Sequence, residues 1–383
     1  MTGTLCASVP GAMAARQHDD QARLRRDAGA ITALGVTGVQ ARAVTGDGRS
    51  LTATSGVADL TSRRPVPRNG YFRIASVTKT FVATVILRLA ADGGLSLDDT
   101  VERWLPGVVS GNGNDGRAIT IRQLLQHTGG IHDDYPDFTS ARAFHRHRYD
   151  AYTPEQIVAR AMRHRPDFRP GKKWSYSNTG YVLLGMIIER VTGHPWHQEV
   201  RDRIVRPLGL RHTFWPGTSP ELPQPHARTY QSFKPGEQPV DVTEQVGSGT
   251  NGEAGLVSTT ADLNRFFRAL LGGRLLPPAQ LAQMKQTIPV GKEFEPFMPG
   301  ARDGLGLFAR PLSCGGAYWG HEGGDSGWIS AAAVTADGRR SVTVSLSGVF
   351  ADSTDDVLRV ERAMSKLIDD ALCPPPNPGR GRR

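Results

Sequence analysis

Strand signals stand at the two ends of this chain and helix signals fill its middle, and that division constrains the fold more than any other feature. Residues Thr37 to Thr45 and Leu51 to Val57 alternate apolar and polar around Gly46-Asp47-Gly48, as two antiparallel strands joined by a hairpin would. Toward the other end, Leu305 to Ala309, Ala317 to His321, Trp328 to Thr335 and Ser341 to Ser347 read as strands, the last two linked by Ala336-Asp337-Gly338-Arg339. Between them, Val77 to Ala91 carries apolar residues at 77, 81, 82, 85, 86 and 89 and stops at Asp92-Gly93-Gly94, which predicts a buried helix.

Further helices are predicted over Thr120 to Gln126, where Thr120 and Gln123 have capping-box spacing, and over Thr153 to His164, with Pro154 in the first turn. Gly180 to Val191, Thr259 to Leu271 and Ser353 to Leu372 complete the set, the first two closed by Gly193 and Gly272-Gly273. No second sheet and no internal repeat is read. The expected fold class is α/β (α+β), with one antiparallel sheet formed from both termini, helices on its faces and an inserted, mostly helical lobe. Its expected boundaries are an N-terminal segment 1–29, a domain 30–373 and a disordered basic tail 374–383. Within the domain, the sheet lobe takes 30–90 and 255–373 and the helical lobe 91–254.

Composition narrows the function classes. With 38% hydrophobic and 22% charged residues the chain can bury a large core, and no run approaches the roughly 20 apolar residues of a transmembrane helix. The net charge of +9 comes with only seven lysines, and the basic clusters at Arg142 to Arg148, Arg160 to Lys173 and Arg380 to Arg383 lack interleaved aromatics. That pattern suits a solvated surface near an anionic partner such as a cell envelope, and not nucleic acid. Cys6, Cys314 and Cys373 show no zinc-site spacing. Ala12-Met13-Ala14 resembles a cleavage signal, although no basic residue precedes Arg16 and Pro10 interrupts the short apolar stretch. The expectation is an incomplete signal-peptide remnant on a secreted or cell-envelope protein, the alternative being a cytoplasmic protein with free thiols. Cleavage would remove Cys6 and leave an even pair.

Chemistry concentrates at three places. Ser76-Val77-Thr78-Lys79 puts a hydroxyl at the start of the buried helix and an amine one turn on, so both project from one face. Burial would lower the lysine pKa toward that of a base, and the helix N-terminus offers backbone N–H groups to an oxyanion. Tyr176-Ser177-Asn178 precedes another helix; its phenol can relay protons and its amide can hold the lysine or a substrate carbonyl, or Asn178 is simply an N-cap. His321-Glu322-Gly323 ends a strand beside Gly324, where a missing side chain lets backbone N–H approach a ligand. Other patterns are weaker. Gly111 to Gly116 imitates a dinucleotide fingerprint without its preceding strand, Gly324-Asp325-Ser326-Gly327 imitates a protease serine loop without its partners, and His132-Asp133-Asp134 and His145-Arg146-His147 fit surface loops better than metal sites.

Taken in order, Phe72 to Lys79, Leu124 to Gly130, Tyr176-Ser177-Asn178, Ala254 to Thr259 and Gly320 to Gly323 resemble the serine penicillin-recognising enzymes, which include D-alanyl-D-alanine carboxypeptidases and class C β-lactamases. The resemblance runs from about residue 30 to 373. It implies a β-lactamase/transpeptidase-like fold, with Ser76 as nucleophile and Lys79 and Tyr176 exchanging its proton. It further implies that Ser76 and Gly324 N–H hold the oxyanion, that Asn178 orients substrate and lysine, and that His321 and Gly323 form the strand edge. No metal or organic cofactor is implied. The implied substrate is a small peptide or β-lactam-like compound, with cell-wall peptidoglycan as a further partner, and a monomer is expected. The first-ranked activity is D-alanyl-D-alanine carboxypeptidase. Alternatives on the same fold are a class C-like β-lactamase, an esterase, a D-aminopeptidase or a peptide cyclase, and a penicillin-binding sensor is the non-enzymatic one. A Cys314 to Cys373 disulfide resembles one in secreted relatives. Three departures bear on substrate choice: Glu322 and Gly324 stand where carboxypeptidases carry hydroxyl residues, and Phe308 replaces an arginine, with Arg310 two residues on. A pocket-facing Glu322 would oppose a substrate carboxylate. The alternative is that it turns to solvent or pairs with Arg310.

Overall fold

The hairpin of β1 (Gly38–Val44) and β2 (Ser50–Gly56) does not stand alone: the free edge of β1 pairs antiparallel with a strand some 300 residues away, Gly38 opposite Ser347 and Val44 opposite Ser341. The computed structural model describes residues 9–246, 251–349 and 353–373, with side chains from residue 18 onward. The C-terminal part supplies β3 (Ile288–Pro289), β4 (Arg302–Asp303), β5 (Phe308–Pro311), β6 (Ala317–Asp325), β7 (Trp328–Thr335) and β8 (Ser341–Ser347). Together they form an eight-stranded sheet in the order β2-β1-β8-β7-β6-β5-β4-β3. Both termini therefore build one sheet, as the alternation at the two ends predicts.

Each face of the sheet is covered. On one side Val39, Ala41, Ala43, Val342, Val344 and Leu346 pack against α1 (Val9–Thr32), through Leu24, Ala28 and Ile31, and against the final helix through Met364, Leu367 and Ile368. On the other side the core is organised around α2 (Thr78–Ala91), in which every residue from Thr78 to Leu87 is buried. It also includes α3 (Asn178–Thr192) and α4 (Thr260–Leu271), and Phe81 of α2 stacks on Phe266 of α4 with ring centroids 3.7 Å apart. The last helix is α5 (Thr354–Leu372). Local sequence sets these boundaries. Ser177, Thr259 and Ser353 are the N-caps of α3, α4 and α5, and Gly193 takes the left-handed conformation after α3. Both capping boxes, Thr120/Gln123 and Thr153/Gln156, are formed.

Several expectations need correction. The folded unit does not begin at residue 30: α1 runs through that boundary, and Leu24, Ala28 and Ile31 are core residues. The helix also crosses Ala12-Met13-Ala14, while Cys6 and the tail from 374 lie outside the described residues. Asn178 is the first residue of α3, not its cap. Small two-stranded sheets at Ser110–Gly111 with Asn114–Asp115, and at Tyr230–Gln231 with Val240–Asp241, interrupt the helical region, and the first of these is the Gly111 to Gly116 segment. The strand expected to end at His321 continues through Gly323 and Gly324 to Asp325, because their backbones still pair with Ser330 and Ile329.

No described helix is long and apolar enough to cross a membrane. Cys314, just beyond β5, is joined to Cys373 at the end of α5, S–S 2.06 Å, closing 59 residues of chain. A loop of that length restricts the unfolded chain by about 4 kcal/mol in the chain-entropy description. Replacing Cys373 by Ser is expected to lower the unfolding free energy of the oxidised protein by about 2–4 kcal/mol in urea titrations. In saturating reductant the wild type and the variant should unfold together.

Candidate active site

Ser76 lies in a single 3₁₀ turn, Ala75–Val77, that feeds directly into α2. The residue before it, Ala75, is buried and held at φ +46°, a conformation an L-residue adopts only where its surroundings impose it. Part of that constraint is β6. A Cβ on Gly323 would lie 2.3 Å from the Ile74 carbonyl oxygen and 3.1 Å from the Ser76 nitrogen, so only glycine lets the strand edge press against the nucleophile's turn.

One helical turn on, Lys79 is completely buried. Its Nζ has three acceptors: Ser76 Oγ at 3.1 Å, Asn178 Oδ1 at 2.8 Å and the Glu253 carbonyl oxygen at 2.8 Å. Burial brings its pKa down to about 7, against the opposing pull of the Glu253 and Asp133 carboxylates. A neutral amine there donates to Asn178 and Glu253 and turns its lone pair to the serine proton. Burial drives the Tyr176 phenol the other way, well above its usual range, although a hydrogen bond with Ser76 partly offsets this. The geometry thus pairs an amine able to accept a proton near neutrality with a phenol that keeps its own and can pass one on.

Supporting residues fix these groups. Asp133 accepts from Asn178 Nδ2 at 2.9 Å and from the Thr179 amide and hydroxyl, which turns Asn178 Oδ1 toward Lys79. His132-Asp133-Asp134 is a loop, as expected; Asp133 in it has the further task of holding Asn178, while His132 and Asp134 pair at the surface with Asp167 and with Arg160. His127, buried at φ +55°, accepts from the Ser177 amide at Nδ1 and lies 4.3 Å from the Tyr176 ring. Burial and Lys79 hold it well below its usual pKa, so it stays neutral and positions the Tyr176 loop. Glu253 is fully buried, accepts from the Tyr135 hydroxyl and has no partner at Oε2. Sequence reasoning assigned no role to Asp133, His127 or Glu253. The signal available was their position inside or beside short glycine-bearing motifs.

Along β6, side chains alternate. His321 and Gly323 face the nucleophile, and His321, 5.0 Å from the Phe308 ring, is kept neutral by burial with its pKa down to about 3. Glu322 points to the α5 side and forms an ion pair with Arg310, whose guanidinium also donates to Ser365. Close by, burial and Glu322 push the Glu361 carboxyl up to about 8, and its Oε2 has no partner. Two adjoining cavities lie at the site, and Ser76 lines the first. One, of ≈360 Å³, is walled by Tyr176, Phe294, Phe297, Phe308 and His321, with Glu293, Glu322 and Glu361 among its lining. The other, of ≈620 Å³, contains Asp133, Asn178 and Asp325, and the two meet at Gly324 and Ile329. A further cavity of ≈630 Å³ near Trp215 and Leu256 contains none of these groups. Among the described residues no cluster suited to a metal ion occurs.

A sequence profile of the Beta-lactamase family matches residues 24–363. The chain belongs to the beta-lactamase family. Within this family, the chain is similar to a D-stereospecific amidohydrolase from Streptomyces sp. (42% identity, TM-score 0.80, covering 89% of this chain and 98% of that one). It is also similar to the D-amino acid amidase of Ochrobactrum anthropi SV3 (28% identity, TM-score 0.77, 91% and 99% covered). Penicillin-binding protein 4* of Bacillus subtilis (strain 168) is 33% identical over 224 residues, 56% of this chain but 48% of that protein, so the chain spans about half the length of this curated relative.

Two outcomes follow for this beta-lactamase-family site. The acylation rate should rise as pH passes through about 7, because Lys79 must lose its proton first, and fall about tenfold per unit below it. Glu253→Gln removes a charge that favours the ammonium, so the same limb should move to lower pH; stopped-flow acylation by a chromogenic ester reads both.

Proposed function

We propose that this protein is an amidohydrolase that cleaves amides of D-amino acids or short D-peptides through an acyl-enzyme on Ser76. One observation carries the choice over a carboxypeptidase: among the described residues, neither cavity beside Ser76 is lined by a lysine or arginine, whereas Glu293, the Arg310-paired Glu322 and the largely protonated Glu361 line one and Asp133, Asp137 and Asp325 the other. Arg310, the nearest candidate for a carboxylate anchor, is occupied by Glu322. Carboxylates at close range in a desolvated site disfavour an anionic substrate terminus by several-fold or more in affinity. The likeness to a D-stereospecific amidohydrolase and a D-amino acid amidase supports the same reading.

In this reading the Ser76 oxygen attacks the amide carbonyl as its proton passes to Lys79. The oxyanion is held by the Ser76 and Gly324 N–H groups, and Asn178 orients the acyl side. The C–N bond then breaks, and the proton reaches the departing nitrogen through the Tyr176 phenol. Water attacks the ester, loses a proton to the same pair, and releases the acid and Ser76. The Cys314–Cys373 bond supports a secreted or envelope setting, because disulfides persist in oxidising compartments.

A substrate panel tests the proposal. D-phenylalanine amide should be hydrolysed, its L-isomer at least tenfold more slowly, and a D-Ala-D-Ala peptide with a free carboxylate more slowly than its amidated form. Ser76→Ala should lower kcat by at least about 10⁴-fold. Faster release of D-Ala from the free-acid peptide would instead establish the carboxypeptidase reading and peptidoglycan stem peptides as substrate.

A further inference from the structure

The amidohydrolase reading leaves open which side of Ser76 takes the acyl group and what recognises it. Proton traffic answers the first question. The leaving nitrogen collects its proton from the Tyr176 phenol, so it departs into the ≈360 Å³ cavity that Tyr176 lines. The acyl group then extends the other way, into the ≈620 Å³ cavity lined by Asn178.

That second cavity is polar and acidic. Asp325 lies on β6 two residues beyond Gly323 and on the same face, the face that meets the nucleophile. A Cβ on Gly323 would sit 3.1 Å from the Ser76 nitrogen, and two strand residues advance about 6.8 Å, so Asp325 takes the next inward position of β6 beyond the one that touches the Ser76 turn. Asp325 Oδ1 accepts from the Ser326 amide at 2.7 Å; among the described residues Oδ2 accepts no hydrogen bond. One more acceptor of the lining, Gln231 Oε1, lacks a partner. Burial and Asp137 push the Asp325 carboxyl up, and the buried Arg73, which donates to the Pro220 carbonyl, offsets this in part. A partly buried carboxylate beside a second one is stabilised by an incoming cation.

We propose that this cavity is the acyl subsite and that Asp325, with Asp137 and Gln231 Oε1 beside it, receives the free α-ammonium of a D-aminoacyl substrate. The assignment rests on the amidohydrolase reading and narrows it to N-unblocked amides and peptides.

The test compares kcat/KM for the p-nitroanilides of D-phenylalanine and N-acetyl-D-phenylalanine in wild type and Asp325→Asn, per active site counted by fluorophosphonate labelling of Ser76. Wild type is expected to favour the free amine by tenfold or more, and the variant to reduce that preference about 10- to 100-fold, the effect of one hydrogen bond to a charged group. Equal losses on both substrates, or a wild-type preference for the acetylated one, overturn the assignment. A second measurement needs no turnover: D-phenylalaninol, which has the ammonium but no acyl group, should slow fluorophosphonate labelling of wild type more than of the variant. Protection with no amide hydrolysis would sink the amidohydrolase reading alone; absence of protection in wild type sinks the ammonium site. If Asp325→Asn does not fold, Asp137→Asn is read for the same two ratios.

Discussion

The desolvation of Lys79 is the constraint on which the site depends. An ammonium taken out of water is expensive, and the protein meets that cost only in part, with three acceptors and two carboxylates at a distance. Full compensation would leave an ordinary lysine, protonated and useless as a base. Complete removal of Asp133 and Glu253 would leave an amine with little hold on Asn178. The partial balance requires burial on every side, which is why α2 has no solvent face over its first ten residues and why its packing partners α3 and α4 come from distant parts of the chain. Residues far apart in the chain meet at this one side chain: Asn178 from α3, and Glu253 from the segment that leads back to the sheet.

A second constraint is closeness. β6 presses against the Ser76 turn, and both members give way to allow it. Gly323 surrenders a side chain, and Ala75 takes a left-handed conformation. Strain at a nucleophile persists only where the surrounding structure over-determines it. Here the paired ladder from Gly323 to Ser330 and the bond from the Ser330 hydroxyl to the Ile74 carbonyl provide that restraint.

The sheet and the helices around it were legible because their signals are local. Alternation marks β1, β7 and β8, and N-cap and glycine residues mark α3, α4 and α5. The convergence of Ser76, Lys79, Tyr176 and Asn178 was legible through motif order, since helix spacing puts the first two on one face. What escaped has physical causes. The two-residue strands β3 and β4 are too short for a periodicity, and β6 was cut short because two glycines, the usual mark of a strand's end, here pair normally for the sake of a close approach. α1 has too weak an apolar stripe to be separated from a leader segment. Asp133 and Glu253 lie 54 and 174 residues beyond Lys79, and no local pattern reports that a carboxylate will act on a lysine that far off.

The two-residue repeat of β6 links catalysis to substrate choice. His321, Gly323 and Asp325 fall on the nucleophile's side, and Glu322 on the side of α5, where Arg310 neutralises it. A one-residue slip would exchange these roles, placing Glu322 against the Ser76 turn where not even a methyl group fits. The register is therefore fixed by the steric contact of Gly323 with the Ser76 turn, and the placement of Asp325 on the inward face follows from it. Given that register, the cation that a carboxypeptidase site needs has no position left on this strand: the inward places hold a neutral histidine, an obligatory glycine and an aspartate. In the proposed amidohydrolase, selection against a terminal carboxylate would follow from how β6 meets α2, with Arg310 bound from the far face by Glu322.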